Sequence, residues 1–210
     1  MIAIIDYGLG NIASVAKAFK TLNQETYTAG SVQDIREADK LILPGMGSFG
    51  MGMQNLSELD FVEVLNDEVL HKKKPFLGIC LGMQLLASEG FEFGKHKGLG
   101  FIPGSVKKLE AGESLRLPHM GWNDVTPKNG SLLFANVSNQ DPSFYFAHSY
   151  HFVPYDNSII AGVTNYGVDF VSSIQNENIF GTQFHPEKSQ KNGLQVLKNF
   201  LSYEKTNGAK

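Results

Sequence analysis

Two rhythms of apolar and polar positions divide the 210-residue chain. In the first half, apolar runs recur: Ile2-Ala3-Ile4-Ile5, Leu41-Ile42-Leu43 behind Lys40, and Phe76-Leu77-Gly78-Ile79. Runs of that length, apolar on both faces, predict strands buried inside a parallel sheet. Thr26-Tyr27-Thr28-Ala29 suits a further strand. Helical spacing fills the gaps. Ile12, Val15, Ala16, Phe19 and Leu22 share one side of a predicted helix, and Ser14, Lys17, Lys20 and Asn23 share the other. Phe61, Val64, Leu65 and Val69 stripe a second helix reaching His71. Lys72-Lys73-Lys74 closes it and reads as a solvated helix end that suits the dipole.

From Ser105 the rhythm shortens. Val106 to Leu109, Ser143 to Phe146, Ile159 to Val163, Val168 to Val171 and Ile179 to Phe184 are strand-like runs without helices between them. They predict antiparallel additions to one sheet edge and a smaller sheet. Ser189 to Tyr203 is a last amphipathic helix, with Leu194, Val196, Leu197, Phe200 and Leu201 apolar. The expected class is α/β: a central, mostly parallel sheet flanked by helices, with antiparallel edge strands and a small second sheet. Residues 1–203 are expected to form a single domain, and 204–210 a polar tail.

Composition narrows the function classes. A net charge of −3 offers no electrostatic case for nucleic acid or an anionic membrane. One cysteine cannot form an internal disulfide. No run approaches a membrane span, and the first apolar run meets Asp6 too soon for a signal segment. The expected location is the cytoplasm.

Asp6-Tyr7-Gly8-Leu9-Gly10-Asn11 lacks the third glycine of a dinucleotide fingerprint and reads as a tight turn between strand and helix. Pro44-Gly45-Met46-Gly47-Ser48-Phe49-Gly50 lies at a strand's C-terminal end, where open α/β sheets hold their ligands.

The single cysteine sits between the third buried run and a helical pattern from Leu81, as Gly78-Ile79-Cys80-Leu81-Gly82. This G-x-C-x-G is the nucleophile elbow with sulfur in place of oxygen. The glycines leave room for the turn, and the helix start favours a thiolate. A lone cysteine is also at home as a small core residue. The decisive partner is His185-Pro186-Glu187. Proline favours extended backbone at His185, so residues 185 and 187 point the same way and Glu187 can orient the imidazole. Cys80, His185 and Glu187 then have the makings of an acyl-transfer triad: nucleophile, general base and orienting carboxylate. The N–H of Leu81 and the loop Gly45-Met46-Gly47 are the candidate oxyanion donors. His148, His151 and His185 could form a metal set, but His185 already has a role. No metal and no cofactor are expected. His71 and His96 read as surface residues.

The series P-G-M-G-S-F, G-I-C-L-G-M-Q and H-P-E-K-S resembles the class I, or triad, glutamine amidotransferase family over Met1 to about Leu201. Leu117-Pro118-His119-Met120-Gly121-Trp122-Asn123 and His148-Ser149-Tyr150-His151 make it most similar to those members that serve a histidine-pathway cyclase. The resemblance implies L-glutamine as substrate, held by Gln84, Ser149, Tyr150 and Gly45. Glu92, with Glu89 as rival, would meet its α-amino group. Met46 departs from the small residue usual in the oxyanion loop, which a backbone donor tolerates. It further implies a separate cyclase subunit with a (β/α)8 barrel, forming a heterodimer; paralogous pairs instead supply ammonia to a sugar-nucleotide enzyme. His119, Trp122 and Lys188 are the candidate docking residues, although a lone tryptophan equally suits a core. A non-catalytic scaffold on the same fold is opposed by the intact Cys80, His185 and Glu187.

Overall fold

The computed structural model describes residues 1–112, 115–128, 130–138 and 142–204. All of the expected tail beyond Glu204 lies outside the described residues.

In the amino-terminal half, strands and helices alternate. They are β1 (Ile2–Ile5), α1 (Ile12–Thr21), β2 (Thr26–Ala29), α2 (Val32–Glu37), β3 (Lys40–Leu43), α3 (Phe49–Glu58), α4 (Phe61–Leu65), β4 (Phe76–Ile79) and α5 (Leu81–Gln84). Strands dominate afterwards: β5 (Glu89–Gly90), β6 (His96–Lys97), β7 (Gly104–Lys108), β8 (His119–Asp124), β9 (Thr126–Pro127), β10 (Ser143–His148), β11 (Tyr150–Pro154), β12 (Ile160–Tyr166), β13 (Val168–Asn176) and β14 (Ile179–Thr182). Helix α6 (Gln190–Ser202) ends the ordered elements.

The main sheet has eight strands in the order β2-β1-β3-β4-β14-β13-β12-β9. Its first five are mutually parallel, and β13, β12 and β9 add antiparallel at one edge. A four-stranded sheet, β11-β7-β5-β6, and a two-stranded ribbon, β10-β8, lie beside it. The all-apolar runs are explained by burial on both faces. Ala3, Ile5, Leu41, Leu43 and Phe76 pack on one side with Ile35, Leu56, Phe61, Val64 and Leu65 of α2, α3 and α4. Ile2, Ile4, Ile42, Leu77 and Ile79 pack on the other with Val15 and Phe19 of α1 and Val196, Leu197 and Phe200 of α6.

Several elements differ from the sequence expectation. Helix α3 occupies what reads as a glycine loop, because Gly50 and Gly52 serve close packing rather than a turn. A Cβ on Gly50 would stand 2.7 Å from the His96 ring, so His96 is a half-buried packing residue and not a free surface one. The helix expected from Phe61 to His71 winds normally only to Leu65, then widens to π-type winding over Asn66–His71. Helix α5 spans only Leu81–Gln84. The lysine run is not uniformly solvated. Lys74 is half-buried against Glu68 at 2.8 Å and donates to the carbonyls of Ile35 and Arg36, so it ties the end of this helix to α2. Its partner Glu68, itself buried, stays ionised because Lys72 and Lys74 outweigh its desolvation and hold its carboxyl below the usual range.

Candidate active site

Register assembles the site. β4 and β14 are neighbours, with Gly78 opposite Gly181 and Ile79 opposite Thr182. The next residue on each strand, Cys80 and Gln183, therefore leaves the sheet at the same level. The Cys80 N–H donates to the Thr182 carbonyl at 2.7 Å, and the Gln183 amide nitrogen lies 3.7 Å from the sulfur. His185 follows two residues later on the same face. A separation of 103 residues between Cys80 and Gln183 is thus closed by one parallel strand pair.

Cys80 has φ 54° and ψ −108°, a left-handed backbone that a non-glycine residue adopts only when its surroundings impose it. The surroundings are tight. A Cβ on Gly82 would overlap the Leu43 carbonyl oxygen, and one on Gly78 would press on the Gly82 carbonyl. The chain can make this turn only with glycine at both places, which is why the elbow has its spacing.

His185 is buried, and its Nδ1 meets Glu187 Oε1 at 2.8 Å, both side chains being 3% exposed. A carboxylate only accepts, so Nδ1 carries the proton and Nε2 is left for the sulfur. The route differs from the extended one expected. His185 is extended, at φ −96° and ψ 98°, but Pro186–Lys188 form a single 3₁₀ turn that brings the carboxylate back beside the ring. Burial disfavours a charge on His185. The Cys80 sulfur and Glu187 outweigh burial and raise its pKa to about 10. The arrangement therefore favours imidazolium beside the sulfur.

Cys80 and His185 line a cleft of about 140 Å³ with Met46, Gly47, Leu81, Gln84, Glu92, Ala147, His148, Ser149 and Tyr150. Of the predicted catalytic and substrate-binding residues, all but Gly45 and Glu187 line it. Gly45 sits just behind the cleft wall. A Cβ on it would stand 2.5 Å from the Tyr7 hydroxyl and 2.7 Å from Leu81 Cβ, so only glycine lets this loop lie against the elbow. Met46 is exposed at the rim. Gln84 is buried and donates to the Tyr150 carbonyl at 2.8 Å and to Gln183 Oε1 at 3.0 Å. Between the rival glutamates, Glu92 reaches the cleft and accepts the Phe49 N–H at 2.8 Å, whereas Glu89 is occupied by Lys95.

The docking candidates separate. Trp122 is 49% exposed, stands edge-on to Tyr145, and is no core residue. Lys188 lies over the other partner of that pair, 5.7 Å from the Tyr145 ring centre. His119 is the correction: it is 3% exposed, stacked on Tyr166 and Phe146, and cannot offer its ring to a docking surface. Its strand alternates, so Met120 and Trp122 face out while His119 faces in.

Sequence reasoning gave Gln183 no role. The available signal was its place two residues before His185, a spacing that in extended chain puts both side chains on one face.

The family model for class-I glutamine amidotransferases matches residues 3–203. The chain is 48% identical over 201 residues to the imidazole glycerol phosphate synthase subunit HisH 1 of Campylobacter jejuni, covering 96% of this chain and 99% of that relative. It is 47% identical over 204 residues to the corresponding HisH subunit of Geobacter sulfurreducens, covering 95% and 97%. In fold it is similar to a solved structure described as PurLQS from Thermotoga maritima, with a TM-score of 0.75, 96% and 97% coverage, and 18% identity.

Proposed function

The chain belongs to the class-I glutamine amidotransferase family, and from that premise we propose that it is the glutaminase subunit of an imidazole glycerol phosphate synthase in histidine biosynthesis. The observation that carries the reading at the level of chemistry is the meeting of Cys80 and His185 in one cleft, with Glu187 2.8 Å behind the ring.

The Cys80 thiolate attacks the side-chain carboxamide carbon of L-glutamine. Negative charge grows on the carboxamide oxygen, and the Leu81 N–H and the Gly45-Met46-Gly47 loop receive it. His185 then gives its proton to the leaving nitrogen; the C–N bond breaks and ammonia departs, leaving a γ-glutamyl thioester. His185, now neutral, takes a proton from water. The resulting hydroxide attacks the thioester, the C–S bond breaks, and glutamate leaves with the thiolate restored. Glu187 holds the ring in one tautomer throughout and stabilises its charged form. Gln84, Ser149 and Tyr150 hold the substrate, and the Glu92 carboxylate suits its α-ammonium group.

Ammonia in neutral water is mostly protonated and so not nucleophilic. Direct transfer to a partner avoids that loss. The partner proposed is a cyclase subunit with a (β/α)8 barrel, which uses ammonia to form imidazole glycerol phosphate and an aminoimidazole carboxamide ribonucleotide. Exposed Trp122 and half-buried Lys188, which meet on either side of the half-buried Tyr145 ring, are the docking residues. A free thiol at the reaction centre suits a reducing compartment, and the cytoplasm is the proposed location. Among the described residues, no helix is long and apolar enough to cross a membrane.

Ammonia release from L-glutamine, measured with and without the cyclase and its nucleotide, tests the reading. Release that depends on Cys80 and rises with the loaded cyclase is expected. Release unaltered in Cys80→Ala would refute it.

A further inference from the structure

His119 and His148 are buried histidines that the reaction above does not use. They meet each other: His119 Nδ1 lies 3.2 Å from His148 Nε2. The direction of every bond around them is fixed by groups that can act in only one sense. A backbone carbonyl accepts, so His148 Nδ1, 2.9 Å from the Tyr150 oxygen, carries a proton and donates it. A neutral His148 then has a bare Nε2, which accepts from His119 Nδ1. The bare His119 Nε2 in turn accepts from the Asn123 amide at 3.2 Å. The same amide nitrogen donates its other hydrogen to the Asn165 carbonyl at 2.9 Å. No proton is missing and none is left over.

The chain continues on the far side of Tyr150. Its carbonyl accepts a second bond, from Gln84. Gln84 donates its remaining amide hydrogen to Gln183, and Gln183 points its own amide at Cys80. One unbroken series of hydrogen bonds therefore runs from Asn123 on β8 to the sulfur. β8 is the strand whose outward face carries Met120 and Trp122.

We propose that His119 and His148 are positioning residues for the reaction: a hydrogen-bond chain, directed from Asn123 through both rings, that sets the Tyr150 carbonyl, which in turn holds Gln84 and Gln183 and so the amide hydrogen presented to Cys80. The proposal rests on the reading of Cys80 as the nucleophile. It requires both rings neutral and both protonated on Nδ1, the less common tautomer of a free imidazole. Burial supports the neutral state, holding His148 at about 3 and His119 at about 4. Packing alone does not explain the pair. His119 is stacked 4.0 Å from Tyr166 and 4.8 Å from Phe146, an environment a phenylalanine would fill equally well.

That contrast supplies the experiment, on the full chain in complex with its cyclase. His119→Gln keeps a donor and an acceptor but loses the ring. His119→Phe keeps the ring but loses both. The relay predicts that glutaminase kcat falls by about tenfold in His119→Phe, the effect of losing the bond to His148 that orients the Tyr150 carbonyl, and that His119→Gln stays closer to wild type. Alkylation of Cys80 should follow the same order. A packing role predicts the reverse order, which overturns the proposal. Nitrogen NMR of labelled histidine rings supplies a readout independent of activity. Nδ1 protonation of both rings supports the relay, and protonation of either on Nε2 overturns it. Should the wild-type complex release no Cys80-dependent ammonia, the functional reading fails, and the NMR arm still decides the relay.

Discussion

The Gln183 side-chain amide approaches the Cys80 sulfur to 3.7 Å from the neighbouring parallel strand. A hydrogen bond to a charged group contributes about 1.5–3 kcal/mol. Gln183→Ala should therefore lower the rate of Cys80 alkylation by iodoacetamide at neutral pH by at least about tenfold. An unchanged rate would mean that the amide does not support the thiolate.

His185 makes the larger contribution to the same thiolate. Its raised pKa places imidazolium beside sulfur across the neutral range. His185→Gln should leave the fold intact and slow Cys80 alkylation more than Gln183→Ala does. Measuring both variants side by side ranks the two contributions, and the opposite ranking would contradict the ion pair.

Much of this was legible in the sequence for definite physical reasons. A buried parallel strand carries apolar residues on both faces, so β1, β3 and β4 announce themselves. The elbow could be read because Gly78 and Gly82 are both sterically required around Cys80. Other features were hidden. Helix α3 reads as a loop because Gly50 and Gly52 mimic turn chemistry while serving contacts with His96 and Leu85. The burial of His119 depends on which face of β8 turns inward, and that is set by pairing with β10. Glu92 lines the cleft while Glu89 pairs with Lys95, a difference that their sequence positions do not show.

Gly82 tests the elbow itself. Its missing Cβ is the space occupied by the Leu43 carbonyl oxygen on β3. Gly82→Ala must push the elbow away from β3, and a loss of about 3 kcal/mol in unfolding free energy is expected. Denaturant unfolding at wild-type stability would show that the contact relaxes at no cost.

Tyr7 behaves in the opposite way. Its hydroxyl is buried against Gly45 without a hydrogen-bond partner among the described residues, and burial together with the nearby Cys80 raises its pKa. Removing an unsatisfied hydroxyl while keeping the ring relieves a desolvation cost. Tyr7→Phe should raise unfolding free energy by about 1 kcal/mol. A loss of stability in the same measurement would show that the hydroxyl is satisfied in solution.

The histidines give stability a definite pH dependence. His119 and His148 have folded pKa values of about 4 and about 3, below the ordinary 6.5. Between those values the unfolded chain takes up protons that the folded chain refuses, so stability falls as pH drops from about 6.5 toward 4. His185 runs the other way. Its stabilisation is fully present below about 6.5 and is lost as pH rises toward about 10. Thermal unfolding should therefore show lower Tm at pH 5 than at pH 7, and His148→Gln should flatten the acid limb. An acid limb of unchanged slope in that variant would locate the effect elsewhere.

Trapping the acyl enzyme tests the central claim most directly. The complex is mixed with L-glutamine, quenched in acid within one turnover, digested, and analysed by mass spectrometry. A γ-glutamyl group on the Cys80 peptide, accumulating in His185→Gln less than in wild type and absent from Cys80→Ala, is the predicted result. Ammonia released at the wild-type rate by Cys80→Ala, with no adduct on any peptide, would contradict it.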